Sequence, residues 1–216
     1  MSPSEPPPDP WASPSEPPPD PWQNAPARAA TGGPAFGDLV AALRDVQDLV
    51  AGTSPPDAVV EAARAALVDL AVLLRPWGAD EWTTPAGKRP DLPGRGHPLL
   101  PPFVAEHETD RTISGRVRFT RFYLGGNGAA HGGTIPLLFD DVLGRLGNSG
   151  GRRRARTASL LVNYRKVTPI GPELRVEGRI EREEGRKRFM SGRLLHDGEL
   201  VADAEGLFVV LLPGQP

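Results

Sequence analysis

The stretch HGGTIPLLFDDVLGRLG, residues 131–147, decides the fold of this chain. After its two glycines, large apolar residues recur every three or four positions, which is the spacing of an amphipathic helix with one buried face. These residues are Ile135, Leu138, Phe139, Val142, Leu143 and Leu146. We therefore predict a central helix that begins directly after Gly132 and Gly133.

The sequence on both sides of this helix is β-like. Polar and apolar residues alternate over several runs, and the connections after the helix are short and contain turn residues. Hairpin-length connections imply antiparallel pairing. The runs are residues 112–124, 156–166, 173–183, 186–196 and 199–212. The predicted class is therefore α+β, with one strand, the central helix and then an antiparallel meander.

Two more helical patterns precede this region. Residues 36–52 carry apolar side chains at helical spacing, and residues 54–74 do so again, with Ser54 in a suitable position for an N-cap. We predict a helical hairpin over residues 36–76. A Pro/Gly-rich connection, residues 77–102, follows, and we expect Trp77 and Trp82 to pin part of it down.

The first segment of the chain is a tandem repeat. SPSEPPPDPW occurs at residues 2–11 and again at 13–22. Such acidic, Pro-rich sequence cannot bury enough apolar surface to fold, so a disordered tail is expected over residues 1–35. A docking ligand anchored by Trp11 and Trp22 is the alternative. Residues 103–213 then form the folded domain.

The composition excludes several function classes. The 216 residues contain no cysteine, which removes disulfides, Cys-ligated zinc, iron–sulfur clusters and a Cys nucleophile. A formal net charge of −2 gives no argument for nucleic acid or a membrane surface. No secretory signal and no apolar run of membrane-spanning length is seen. We expect a cytoplasmic protein that needs no metal.

The start of the central helix is the first candidate for chemistry. The first N–H groups of a helix lack internal partners, and glycine lets a substrate oxygen approach them closely. Asp140 lies two turns after Gly133, so a carboxylate shares that face. Spacing alone allows two interpretations: an oxyanion site with a nearby carboxylate, or a glycine cap beside a solvated or structural aspartate.

The motif HGGTIPLLFDDVLG, residues 131–144, resembles the His-Gly-Gly signature of hotdog-fold acyl-CoA thioesterases of the PaaI-like branch, in which a carboxylate follows nine residues after the histidine. TASLLVNYRKVTP, residues 157–169, resembles the family's next strand, and residues 185–210 resemble its last two. The resemblance implies an antiparallel sheet wrapped around a central helix. It also implies homodimers, or dimers of dimers, with active sites between subunits.

The resemblance assigns roles position by position. The N–H of Gly132 polarises the thioester carbonyl, and Asp140 of the facing subunit activates water or attacks directly. Thr157 positions the water, with Ser159 as second choice, and His131 shapes the loop.

One position departs from the family pattern. Many relatives carry Asn or Asp six residues before the histidine, where this chain has Gly125. Either Asn127 takes over the contact to the substrate, or that contact is absent.

The arginine cluster that follows the central helix is a further candidate. Arg152, Arg153 and Arg154 are either part of a solvated loop or contact coenzyme A phosphates, since guanidinium groups pair well with phosphate. The implied reaction is hydrolysis of acyl-CoA or acyl-carrier-protein thioesters, without a cofactor other than the coenzyme A of the substrate. The alternatives are a hotdog hydratase or dehydratase and a non-catalytic acyl-binding or scaffold protein.

Overall fold

The computed structural model describes residues 32–80 and 83–212. Two N-terminal helices are followed by a region in which a long helix lies among eight strands. The helices are α1 Phe36–Gly52, α2 Asp57–Leu74 and α3 Thr134–Gly147. The strands are β1 Val104–Glu108, β2 Thr112–Arg118, β3 Leu124–Gly126, β4 Ala129–Ala130, β5 Ala155–Tyr164, β6 Glu173–Glu184, β7 Lys187–His196 and β8 Glu199–Val210.

Six of these strands form one antiparallel sheet in the order β1-β2-β6-β7-β8-β5. The sheet packs around α3, and β3 and β4 form a small hairpin just before this helix. This arrangement confirms the predicted hotdog fold. β5 lies at one edge of the sheet, so its outer backbone groups have no strand partner among the residues that the structure describes.

The core lies between α3 and the sheet. All six apolar residues predicted for the buried face of α3 are buried. Gly192 in β7 allows the helix to come this close: a Cβ at that position would lie 2.7 Å from Cδ1 of the fully buried Phe139. The middle of the sheet therefore needs a residue without a side chain under the helix.

Three details of the strand prediction were wrong. The strands after the helix do not form one continuous meander, because β5 pairs with β8 and the chain then crosses the sheet to β6. β1 was not predicted, because it is a short edge strand with little alternation directly after Pro101 and Pro102. The run 112–124 was predicted as one strand, but β2 ends at Arg118 and residues 121–123 form a 3₁₀ turn. That turn buries Tyr123, which a continued strand would not have placed next to the N-terminal region.

The N-terminal helices are both present, with three differences from the prediction. Ser54 does not cap α2, since the residue before the helix is Pro56. The two helices do not pack closely on each other: α1 packs on the 3₁₀ turn, whereas α2 buries none of its residues. Trp77 does not pin the connection, because it is 80% exposed.

Three regions lie outside the described residues: 1–31, 81–82 and 213–216. The predicted tail therefore falls outside them apart from its last four residues, as does the role predicted for Trp82. The division of the chain into four segments stays a prediction. Of the helices that the structure does describe, none is long and apolar enough to cross a membrane.

Candidate active site

Asp140 and Thr157 meet at the surface of the chain. Thr157 Oγ1 donates a hydrogen bond to Asp140 Oδ1 over 2.7 Å, and both residues are exposed in the single chain. The helix provides one side chain and the neighbouring strand β5 provides the other. The structure therefore brings together the carboxylate and the hydroxyl that the sequence proposed as a pair.

The peptide between His131 and Gly132 is fixed on its carbonyl side only. Thr134 donates to the His131 carbonyl twice, from its N–H at 2.9 Å and from Oγ1 at 2.7 Å. Among the residues that the structure describes, none accepts a hydrogen bond from the Gly132 N–H. This group therefore has a fixed direction and is available to a substrate oxygen.

The next peptide, between Gly132 and Gly133, is held at both ends. The Gly133 N–H donates to His131 Nδ1 over 3.0 Å, and Tyr164 Oη donates to the Gly132 carbonyl over 2.7 Å. His131 thus holds the loop through its ring nitrogen, and the N–H of Gly133, a residue predicted to bind substrate, is already engaged. The sequence analysis did not select Tyr164 as a site residue, although Tyr164 lies in the stretch 157–169 that resembles the family's next strand.

Asp141, one position after Asp140, points in a different direction and has a structural role. It is buried and forms an ion pair with Arg95 from the connection before β1. Burial raises the pKa of the Asp141 carboxyl, and the Arg95 guanidinium opposes that rise. This pair ties the connection to α3, and neither the resemblance nor the spacing had indicated Arg95.

The loop of residues 131–133, which precedes α3, is also supported by α1. The Tyr123 carbonyl accepts the His131 N–H over 2.7 Å, which fixes the loop from the side of the 3₁₀ turn. Arg44 of α1 donates to Tyr123 Oη at 3.3 Å and to the carbonyls of His97 and Leu100 at 2.9 and 3.0 Å. One guanidinium therefore joins α1, the connection and the site.

The position of Gly125 explains the departure from the family pattern. A Cβ there would lie 2.7 Å from the Cα of His131, so this loop leaves no room for a side chain. Asn127 lies at the tip of the β3–β4 hairpin with a positive φ of 48°. It makes no hydrogen bond within the described residues that would aim it at Gly132. Its role in substrate binding stays a prediction.

Ser159, Arg152 and Arg153 have positions or partners that differ from those of Thr157. A β-bulge between Thr157 and Ser159 adds a residue to β5, and only Thr157 bonds to Asp140. Arg152 pairs with Glu183, and Arg153 donates to the Leu211 carbonyl. Arg154 follows them in the connection after α3. These residues fasten that connection, and their predicted contacts with phosphate are untested.

The site is divided along α3. Gly132 precedes the helix and Asp140 lies eight residues further on, which at the helical rise is about 12 Å. A thioester carbonyl and its attacking water are much closer than that. The two halves of the site in one chain therefore suit two different substrate molecules, or one substrate held between two chains.

Comparison with known proteins identifies relatives of this arrangement. The sequence profile described as Thioesterase superfamily matches residues 127–202. The Pseudomonas aeruginosa protein PA0474 is 32% identical over 114 residues, covering 51% of this chain and 84% of that protein. Acyl-coenzyme A thioesterase THEM4 of Mus musculus is 33% identical over 91 residues, or 41% of this chain.

A solved structure extends the similarity beyond the central domain. RHA08564, a thioesterase superfamily protein, matches with a TM-score of 0.71 at 30% identity, covering 83% of this chain and 97% of that chain. Residues 103–212 make up only about half of the chain, so the match includes part of the N-terminal region. The chain spans about two fifths of the length of the THEM4 relative, 39%.

Proposed function

Because this chain belongs to the thioesterase superfamily, we propose that it hydrolyses an acyl thioester to a free acid and a thiol. The observation that carries the proposal is the hydrogen bond from Thr157 to Asp140, which aligns an exposed carboxylate beside a hydroxyl. The available N–H of Gly132 supports it from the other end of the site.

The Gly132 N–H and the Asp140 carboxylate each have a role in the proposed reaction. The Gly132 N–H donates to the thioester carbonyl oxygen and stabilises the negative charge that develops on it; one such donor is worth roughly 10²–10³ in rate. Asp140 accepts a proton from water as the water oxygen bonds to the carbonyl carbon. The carbon–sulfur bond then breaks, and the thiolate takes up a proton. Direct attack by Asp140, followed by hydrolysis of the anhydride, gives the same products.

Two chains form each site in this proposal. Since the Gly132 and Asp140 of one chain are about 12 Å apart along α3, Asp140 acts on a thioester held at Gly132 of a partner. The exposed edge of β5 is suited to such pairing, because its free backbone groups can extend the sheet into a second copy. A homodimer, or a dimer of dimers, is the expected assembly.

The substrate proposed first is an acyl-CoA. The THEM4 relatives are named acyl-coenzyme A thioesterases, which supports coenzyme A over a carrier protein. We place the reaction in the cytoplasm and expect it to need no cofactor or metal. Substrate contacts of Arg152, Arg153 and Arg154 are part of the same proposal.

The test is a thiol-release assay on a panel of acyl-CoAs and one acyl-carrier-protein, with protein dialysed against a chelator. Wild type should release thiol, and Asp140→Asn should lose about two to four powers of ten in kcat, the usual contribution of a general base. Asp110→Asn, an exposed aspartate in the turn between β1 and β2, is the matched control and should keep full activity. Activity of Asp140→Asn equal to wild type would overturn the assignment of the site.

A further inference from the structure

Helix α2 presents an apolar surface that none of the described residues, 32–80 and 83–212, covers. Five large side chains lie within about half of its circumference and are 41–66% exposed: Val59, Val60, Leu67, Leu73 and Leu74. A helix with so wide an apolar face is normally buried, and an isolated helix of this length is marginal in water. The stability of α2 therefore requires a partner surface.

Helix α1 has an uncovered apolar stripe as well. Leu39, Val46, Leu49 and Val50 are 36–69% exposed, and the centre of their stripe lies about 120° around the helix from Val40, the residue that α1 buries in the domain. Each chain thus carries two apolar helix surfaces of similar length. They are the two faces that the sequence predicted would meet in a helical hairpin.

The connection between the helices keeps them apart within one chain. Residues 53–56 include Pro55 and Pro56, and the backbone is extended both at Thr53, with φ −123° and ψ 162°, and at Pro56, with φ −64° and ψ 155°. Proline fixes its own φ and also restricts the residue before it, here Ser54. A short, stiff connection of this kind directs α2 away from its own α1.

We propose that two copies of this chain exchange α2, so that the α2 of each copy covers the exposed α1 stripe of the other. Such an exchange of identical elements is a recognised route to symmetric dimers, and short hinge loops favour it. The predicted helical pair then exists, but between chains.

The area available fits such a dimer. A contact strip one helix long and one helix wide measures about 27 Å by 10 Å. It occurs twice in a symmetric pair and covers four helix faces, on the order of 1,100 Å² in total, close to the roughly 1,200–2,000 Å² of a specific interface. Any pairing through β5 adds to this area.

The charge of α2 disfavours an anionic membrane surface as the partner. Its polar residues are Asp57, Glu61, Arg64 and Asp69, and Arg64 is already paired with Glu61 at 2.7 Å. Helices that bind anionic lipid carry lysine and arginine on the polar face instead. A second copy, with a matching apolar stripe, is the better complement.

The exchanged helices adjoin the proposed site. At the end of α1, Asp48 accepts the Phe122 N–H over 2.8 Å, and the next carbonyl, that of Tyr123, holds His131. On the other side of that loop, Tyr164 of the edge strand β5 bonds to Gly132. The packed side of α1 and the β5 edge therefore flank the same loop, so the helix whose outer stripe α2 of the partner would cover is anchored beside the proposed site.

Cross-linking between introduced cysteines tests the exchange, since the chain has none of its own. Val46→Cys and Leu67→Cys chains are co-expressed with different tags, purified through both tags, and treated with a short bis-maleimide. A covalent heterodimer is expected, and Val72→Cys in place of Leu67→Cys should lose it, because Val72 lies on the opposite side of α2. All three residues are exposed in the single chain, so these variants should fold.

The double variant Val46→Cys/Leu67→Cys separates the outcomes. Linkage between two chains supports the exchange, whereas an internally linked single chain would show that α2 folds back on its own α1. Absence of any linked product would also overturn the proposal. None of these results depends on catalysis, so the thiol-release assay tests the thioesterase proposal independently.

Discussion

At the residue scale, two adjacent aspartates differ in exposure and in bonding partners. Asp140 is exposed and accepts a hydrogen bond from Thr157, whereas Asp141 is buried against Arg95, with a pKa that burial raises. The difference comes from the turn of about 100° between neighbouring helical residues. One side chain is therefore free for chemistry while the other anchors the connection before β1.

Thr157→Val should lower activity without unfolding the protein. Valine keeps the shape but removes the hydroxyl that donates to Asp140. A hydrogen bond to a charged group is worth about 1.5–3 kcal/mol, so kcat should fall by roughly 10- to 100-fold. Steady-state thiol release measures this fall in kcat, and Thr157→Ser should restore most of the rate. Equal rates for the valine and serine variants would refute the role of the hydroxyl.

At the element scale, the close contact between α3 and β7 depends on Gly192. Gly192→Ala places a Cβ 2.7 Å from Phe139 in a fully packed core. Such overpacking costs about 1–3 kcal/mol of unfolding free energy. Urea unfolding measures this loss. Gly78→Ala, where an added Cβ has no atom within 4 Å, should change stability little.

The connection before β1 should make stability sensitive to mild acid. Burial lowers the pKa of His97 from its ordinary value of 6.5; the charges of Arg95 and Arg44 lower it further, and Asp141 opposes them. The unfolded chain then binds more protons than the native one just below pH 6.5. Stability is therefore fully present above that pH and is lost as the pH falls.

Thermal unfolding one pH unit above and one below 6.5 checks this expectation. The Tm of wild type should drop more on acidification than that of His97→Asn, in which the amide oxygen replaces the acceptor that Nδ1 offers to the Leu99 N–H. Parallel Tm curves would show that His97 has no part in the effect.

At the scale of the whole molecule, the edge strand β5 is expected to join two copies and complete the site. Leu161→Arg places a charge on that strand and should shift the protein towards monomers with reduced thiol release. Leu99→Arg is the matched control, since both leucines are 58% exposed but Leu99 lies in the connection before β1. Light scattering and activity are measured on the same samples. A fully active monomer would contradict the two-chain site.

Much of the fold followed from local patterns in the sequence. The buried face of α3 and strands β5 to β8 were predicted because their apolar periods are long and their turns are short. Asp140 and Gly132 were proposed from the resemblance of residues 131–144 to the family motif, and Thr157 from the resemblance of the next strand. These features depend on residues close together in the chain, which sequence patterns describe well.

Long-range contacts account for what the sequence alone did not show. Arg95, Arg44 and Tyr164 bond to groups between 32 and 79 positions away, and no local pattern marks such partners. The sequence by itself determined the three helices and the long strands β5 to β8, and it proposed Asp140 as the reactive aspartate. Only the tertiary structure decided which N–H of the glycine pair is available and that α2 lies apart from α1, because both depend on how distant segments pack.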